Sequence, residues 1–109
     1  MAEGLRRGTI VWCDLEDDPR PTEAGRRRPA LVISSSRMTA GPVVVIPLTT
    51  TPRPYPTVVE LDEVLPRTSY IQCEQLRAVA RSRIGSTIAV VDAVTMMRVE
   101  AVLRRLLEL

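Results

Sequence analysis

The stretch Glu23-Ala24-Gly25-Arg26-Arg27-Arg28-Pro29-Ala30-Leu31-Val32-Ile33-Ser34 decides the fold, because three arginines run directly into an apolar strand. The chain has no histidine and no lysine, so that all 15 of its basic residues are arginines. A guanidinium group stays charged and binds phosphate through a fork of N–H donors. The stretch therefore places permanently charged phosphate-binding groups where a strand begins.

The sequence around this stretch predicts a series of short strands. Runs rich in β-branched and apolar residues predict strands over residues 9–15, 30–34, 43–49, 57–61, 69–79 and 88–91. Two loops separate some of these strands, because proline cannot donate to a strand ladder. They span residues 16–28, with Pro19, Pro21 and Gly25, and residues 50–56, with three prolines.

The end of the chain has a different periodicity. From Asp92, a candidate N-cap, apolar residues recur at helical spacing, namely Met96, Val99, Leu103, Leu106 and Leu107. We expect this helix to cover the core. Six strands followed by a helix predict a mainly β (α+β) fold, a small and partly open barrel, in a single domain over residues 1–109.

Composition excludes several classes of protein. The longest apolar runs, such as 43–46 and 88–91, are too short to cross a membrane, and the N-terminus lacks the apolar core of a signal peptide. We therefore expect a cytoplasmic protein. Cys13 and Cys73 lie far apart in a chain without histidine, so we expect two buried thiols and no metal site. Trp12, on the first strand, is expected in the core.

Four ordered blocks carry a family resemblance. They are Arg7-Gly8 with Val11-Trp12-Cys13-Asp14-Leu15, Glu23 with Arg28-Pro29-Ala30-Leu31-Val32-Ile33, Val43-Val44-Val45-Ile46-Pro47-Leu48-Thr49, and Cys73-Glu74-Gln75-Leu76-Arg77 with Ser82-Arg83-Ile84-Gly85. Together with the final helix, these blocks resemble the MazF/PemK (Kid) family of toxin endoribonucleases over nearly the whole chain.

The resemblance implies an SH3-like barrel of the MazF/CcdB toxin type, a homodimer, and sequence-specific cleavage of single-stranded RNA without metal or other cofactor. It also implies that cleavage inhibits translation and growth, and that a cognate MazE-like antitoxin blocks the site. The family's catalytic arginine falls on Arg28 and its catalytic hydroxyl residue on Thr49. Glu74 occupies the position of an acid–base aspartate in the PemK branch, where Gln72 replaces the accompanying arginine.

The chemistry of such a site can be argued from these residues. RNA cleavage without metal requires the 2′-hydroxyl to attack the adjacent phosphorus, so negative charge builds up on the phosphorane oxygens. A guanidinium stabilises that charge, and a threonine hydroxyl can donate a second hydrogen bond. Arginine is a poor base, and histidine is absent. Glu74 is then the best candidate for the base; the alternative is a mechanism that relies on Arg28 and positioning.

Five further residues are candidates for substrate binding. Arg26 and Arg27 either contact flanking phosphates or are solvated, and Gln75 either binds a splayed base or satisfies the sheet. Glu23 either touches RNA or orders the loop by pairing with an arginine. Arg77 belongs to a second arginine group, with Arg81 and Arg83.

Two other functions remain open for the same barrel. A CcdB-like toxin poisons DNA gyrase by protein contact, but that branch depends on a C-terminal Trp-Gly-Ile, whereas this chain ends Leu107-Glu108-Leu109. A noncatalytic nucleic-acid-binding barrel is the second alternative. An assay of RNA cleavage distinguishes the enzyme from both.

Overall fold

The computed structural model describes residues 5–15 and 27–109, which form an antiparallel sheet and a C-terminal helix. The strands are β1 (Thr9–Asp14), β2 (Arg27–Val32), β3 (Val43–Thr49), β4 (Val58–Leu61), β5 (Ser69–Gln72), β6 (Arg77–Val79) and β7 (Ile84–Val90), and the helix is α1 (Ala93–Leu107). Short 3₁₀ helices, Cys73–Gln75 and Arg81–Arg83, flank β6.

Strand β3 organises the sheet. The strand order is β4-β5-β3-β2-β1-β7, with β6 also paired to β3. One side of β3 pairs with β2, whereas the other side pairs with β5 near its end, at Leu48 and Thr49, and with β6 at its start, at Val43–Val45. Irregular register between β1 and β7 marks a bulge, which increases the local twist. These pairings bend the sheet into the expected small barrel.

The two faces of the sheet bury separate apolar clusters, because successive side chains on a strand point to opposite faces. The larger cluster lies under α1 and includes Leu31, Ile46, Ile71, Val99 and Leu103. The second cluster consists mainly of smaller side chains carried by the strands themselves, among them Val11, Cys13, Ala30, Val45 and Val79.

The helix begins and packs as predicted. The Asp92 side chain accepts a hydrogen bond from the Thr95 N–H at 2.8 Å and so caps the first turn. This hydrogen bond also lowers the pKa of the Asp92 carboxyl. Val99 and Leu103 are buried against the sheet, whereas Val94 and Met97 are exposed. The helix therefore covers the core with one face only.

Several sequence-based expectations are wrong in detail. The strand expected over 69–79 is two strands, β5 and β6, separated by the Cys73–Gln75 helix, so the sheet has seven strands rather than six. Strand β2 begins at Arg27 and β7 at Ile84, earlier than predicted. Trp12, expected in the core, is 39% exposed, whereas its neighbours Val11 and Cys13 are fully buried. Cys13 and Cys73 are buried, as predicted.

Arg7 links the helix to the sheet. Its Nη1 lies 2.9 Å from Oε2 of Glu100 on α1, and its Nε donates to the Ile33 carbonyl at 2.9 Å. The backbone N–H of Arg7 also donates to the Ser36 hydroxyl. One side chain thus connects α1 with the segment that follows β2.

We expect Arg7→Ala to lower the free energy of unfolding by about 1–2 kcal/mol, because it removes one charge-assisted hydrogen bond and one half-exposed ion pair. Urea denaturation measures this change. Arg6→Ala is the matched control, since Arg6 is exposed and adjacent. Equal stability of the two variants would show that the Arg7 contacts contribute nothing.

Candidate nucleic-acid interface

Arg28 and Thr49 lie at neighbouring strand ends. The β2–β3 register pairs Ala30 with Pro47, and the same register continued by two residues places Arg28 opposite Thr49. Residues opposite each other on antiparallel strands share a face of the sheet. Pro29 and Pro47 cannot donate ladder hydrogen bonds, so the regular pairing ends here. We call Arg28 and Thr49 the strand-end pair.

The environment of the strand-end pair suits an anionic ligand. Arg28 is exposed and Thr49 is half-buried. The Thr49 Oγ1 accepts a hydrogen bond from the Thr51 N–H at 3.1 Å, so its position is fixed by the chain that follows β3. Since a hydroxyl carries both an acceptor and a donor function, Thr49 can still donate its proton to an oxygen. On the other side, Thr49 pairs with Tyr70 of β5.

Glu74 is held by Thr57. It lies in the Cys73–Gln75 helix, which packs against β3, β4 and α1. Its Oε1 accepts a hydrogen bond from the Thr57 hydroxyl at 2.6 Å, and the Cys73 N–H donates to the Thr57 carbonyl at 3.1 Å. Glu74 is therefore a half-buried carboxylate with a neutral partner, and the neighbouring Gln75 is exposed.

The charges of Arg77 and Arg83 act on the Cys13 thiol. Burial raises the pKa of Cys13. The positive charge of Arg77 and, more weakly, those of Arg83 and Arg27 oppose this rise, whereas the Asp14 carboxylate adds to it. Arg77 pairs with Val45, four residues before Thr49, or about 13 Å away along β3. The Arg77 charge nevertheless acts on Cys13, which lies opposite Arg28 in the β1–β2 register, so Arg77 is not remote from the strand-end pair.

Neither cysteine is suited to nucleophilic chemistry. Burial raises the pKa of Cys73 to about 11, and the nearby Glu74 carboxylate adds to the effect. The pKa of Cys13 is also raised. Because the thiolate is the nucleophilic form, both residues act as buried apolar groups.

The three consecutive arginines do not form one cluster. In the β1–β2 register, Arg27 lies opposite Asp14 and Arg28 lies opposite Cys13. Because successive side chains of a strand point to opposite faces, the two guanidinium groups leave β2 on opposite faces. Arg27 extends towards Gly85 of β7, where a Cβ atom would lie 2.6 Å from its Nη1. Glu23 and Arg26, both predicted to bind substrate, lie outside the described residues.

The second arginine group also divides. Arg81 donates from Nε to the Gly41 carbonyl at 3.2 Å and from Nη2 to the Met38 carbonyl at 3.1 Å. These bonds hold the turn between β2 and β3, so Arg81 has a structural role. The charges of Arg77 and Arg83, by contrast, act on the Cys13 thiol.

Sequence reasoning missed Thr57, Tyr70 and Gly85 as neighbours of functional candidates. Thr57 hydrogen-bonds Glu74, which lies 17 residues later in the chain. Tyr70 pairs with Thr49 between strands β5 and β3. Gly85 lies beside the end of the Arg27 side chain. Only the folded chain brings these residues together, and no local pattern could have identified them.

Within residues 5–15 and 27–109, no three His, Cys, Asp or Glu side chains come together in a group that could hold a metal ion.

Among the described residues there is no helix with the length and apolarity needed to span a membrane.

The fold of this chain is that of a known family of small barrel toxins. The family described as PemK-like, MazF-like toxin of type II toxin-antitoxin system matches residues 6–107. The chain therefore belongs to the PemK/MazF toxin family, and the resemblance seen in the sequence is confirmed. The mainly β fold with a C-terminal helix is confirmed as well.

Individual relatives agree with this assignment. Endoribonuclease MazF9 of Mycobacterium tuberculosis is 33% identical, over 96% of this chain and 98% of the relative. Among solved structures, MazF from Deinococcus radiodurans superposes with a TM-score of 0.82 at 27% identity, covering 97% of this chain and 98% of that one. An endoribonuclease from a mycobacterial species, solved with its cognate antitoxin, has a TM-score of 0.80 at 26% identity, covering 96% of each chain.

Proposed function

We propose that this chain is the toxin of a type II toxin–antitoxin system and acts as a sequence-specific endoribonuclease on single-stranded RNA. The observation that carries this proposal is the strand-end pair, which places a guanidinium and a hydroxyl on one face of the sheet. Membership of the PemK/MazF family and similarity to Endoribonuclease MazF9 support it.

Arg28 and Thr49 act on the scissile phosphate. When the 2′-hydroxyl attacks the phosphorus, negative charge accumulates on the nonbridging oxygens. The Arg28 guanidinium donates charge-assisted hydrogen bonds to these oxygens, and the Thr49 hydroxyl donates a neutral one. Both groups sit on strand ends rather than on a long loop, so they need little reorganisation when RNA binds.

Glu74 serves as the acid–base group of this proposal. Its hydrogen bond from Thr57 fixes the carboxylate in one orientation and leaves the second oxygen to accept a proton. Gln75, exposed beside it, hydrogen-bonds an unpaired base, and Arg77 contacts a flanking phosphate. Glu23 and Arg26 remain predicted substrate contacts from the loop before β2.

The toxin assembles as a homodimer in the cytoplasm and is inhibited by a MazE-like antitoxin. Exposed apolar residues at the end of the edge strand β7 and the start of α1, Val90, Val94 and Met97, support a second copy at this side. The arginine-rich surface suits an acidic antitoxin tail that occupies the RNA groove.

Incubation with a long single-stranded RNA in excess EDTA tests the proposed function. We expect cleavage at a small set of short sequences, since the chain offers no histidine and, in its described residues, no cluster of metal-ligating side chains. A parallel DNA gyrase assay serves as control. Gyrase inhibition without RNA cleavage would favour the CcdB-like alternative. RNA binding without cleavage would favour a noncatalytic nucleic-acid-binding barrel.

A further inference from the structure

Tyr70 lies next to Thr49 on the face of the sheet that carries the strand-end pair. The β3–β5 register pairs Thr49 with Tyr70 and Leu48 with Ile71. Directly paired residues of antiparallel strands share a face, with Cβ atoms about 4.5–5.5 Å apart. Leu48 and Ile71 are buried in the cluster under α1, so Thr49 and Tyr70 point to the other face. Tyr70 is half-buried, so part of its side chain is open to a ligand.

Arg28, Thr49 and Tyr70 therefore form one row across β2, β3 and β5. Side chains on strands stand roughly perpendicular to the sheet. Because tyrosine is longer than threonine by an aromatic ring, its hydroxyl stands farther from the sheet than the Thr49 hydroxyl. A phosphate that accepts a hydrogen bond from Thr49 therefore lies at the level of the Tyr70 side chain. The row offers one phosphate three kinds of donor, namely a guanidinium, an aliphatic hydroxyl and a phenol.

The proposed reaction needs a proton donor as well as a base. When the bond from phosphorus to the 5′-oxygen breaks, the departing oxygen becomes an alkoxide, a strong base, unless it is protonated. The chain contains no histidine, the most common acid in such steps. A phenol gives up its proton more readily than a guanidinium or an aliphatic hydroxyl. Tyr70 is thus the member of the row that can supply this proton.

We propose that Tyr70 is the general acid of RNA cleavage and protonates the 5′-oxygen as it leaves. This inference rests on the proposed function of the strand-end pair. Glu74 accepts the proton of the 2′-hydroxyl, the 2′-oxygen bonds to phosphorus, and the bond to the 5′-oxygen breaks as that oxygen takes the phenol proton. The products are a 2′,3′-cyclic phosphate and a free 5′-hydroxyl. Glu74 then loses its proton to water, and the Tyr70 phenolate regains one from water, which restores both groups.

The positions of Tyr70 and Glu74 suit this division into acid and base. The attacking and leaving oxygens lie roughly in line through the phosphorus, so the acid and the base must approach from different directions. Tyr70 lies level with the end of β3, beside Thr49. Because β5 runs antiparallel to β3, the 3₁₀ helix that carries Glu74 follows β5 back towards the middle of β3. The base and the acid are therefore displaced from each other along β3.

Tyr70→Phe tests the assignment, because it removes the hydroxyl and keeps the ring. We expect single-turnover cleavage of a defined RNA to slow by about 100-fold, within the range for loss of a general acid, with RNA binding unchanged. Tyr55→Phe is the matched control, since Tyr55 is the only other tyrosine and is exposed in the segment 50–56. This control should cleave like the wild type. Thermal unfolding checks that both variants fold.

An RNA with sulfur in place of the 5′-oxygen at the cleaved bond isolates the proton transfer. A thiolate is a weak base and leaves without protonation, so removal of the acid should not slow its departure. We expect the wild type and Tyr70→Phe to cleave this RNA at equal rates. Arg28→Ala should remain slow on it, because negative charge still develops on the nonbridging oxygens.

Two results would overturn the inference without affecting the proposed function. Cleavage of ordinary RNA by Tyr70→Phe at the wild-type rate would show that the hydroxyl takes no part, and slow cleavage by Tyr70→Ala would then assign the role to the ring. An equal loss on the ordinary and the sulfur-containing RNA would assign Tyr70 to the structure of the site. Absence of RNA cleavage by the wild type, in contrast, would reject the proposed function itself and this inference with it.

Discussion

We expect Arg28→Ala to reduce RNA cleavage by about 100- to 1000-fold, the loss typical of removing one donor from a charge-stabilising site. The expected loss is large because Arg28 is the charged member of the strand-end pair and, in the proposed mechanism, faces the developing negative charge. The fold should persist, since Arg28 is exposed at the start of β2. Single-turnover cleavage of a defined RNA, with circular dichroism of the same sample, measures both quantities.

Thr49 gives a graded comparison with Arg28. We expect Thr49→Ala to lose about tenfold in rate, because the residue supplies one neutral hydrogen bond where Arg28 supplies charged ones. Thr49→Ser keeps the hydroxyl and should retain most activity.

Arg37→Ala is the matched control for the loss of an arginine. Arg37 is exposed in the segment joining β2 to β3, at the opposite end of both strands, and should cleave like the wild type. If Arg28→Ala behaves like Arg37→Ala, the strand-end pair is not the catalytic centre.

Elements bounded by strong local sequence features could be predicted from the sequence. Strand β3 has the bounds that were predicted, because Gly41-Pro42 precedes it and the proline-rich segment 50–56 follows it. The helix begins after Asp92, whose side chain caps it as expected. In both cases the residues that fix the boundary lie next to it in the chain.

The break between β5 and β6 could not be predicted in this way. Ile71 and Cys73 are buried whereas Tyr70 and Gln72 are half-buried, so the alternation typical of a strand continues into the 3₁₀ helix. The helix is instead positioned by Thr57, which bonds both Cys73 and Glu74 from a distant part of the chain. That contact also determines the orientation of the candidate base.

The arginine stretch shows the same limit for the site. Its linear sequence predicts one cluster of charges, but the strand begins at Arg27, so its side chain and that of Arg28 point in opposite directions. Arg28 is the phosphate-binding candidate because the family resemblance assigns the catalytic arginine to the position before Pro29. The face of the sheet on which each guanidinium lies could not be predicted from the sequence, because it depends on where β2 begins.

An RNA with a 2′-deoxy nucleotide at the point of cleavage should not be cut at all. The proposed reaction forms the new bond from the 2′-oxygen to phosphorus, and Arg28 and Thr49 only stabilise the charge that this attack creates. Without the 2′-hydroxyl there is no nucleophile within the substrate. The 5′ product of the normal RNA should accordingly end in a 2′,3′-cyclic phosphate or in the monophosphate formed when that ring is hydrolysed.

The deoxy substrate also separates binding from chemistry. It should compete with normal RNA at a concentration close to KM, because the contacts of Arg28, Arg77 and Gln75 do not involve the missing hydroxyl. Mass spectrometry of the products and a competition assay measure the two effects together. Cleavage of the deoxy substrate in excess EDTA would require an external water nucleophile, and the roles assigned to the strand-end pair and to Glu74 would then be wrong.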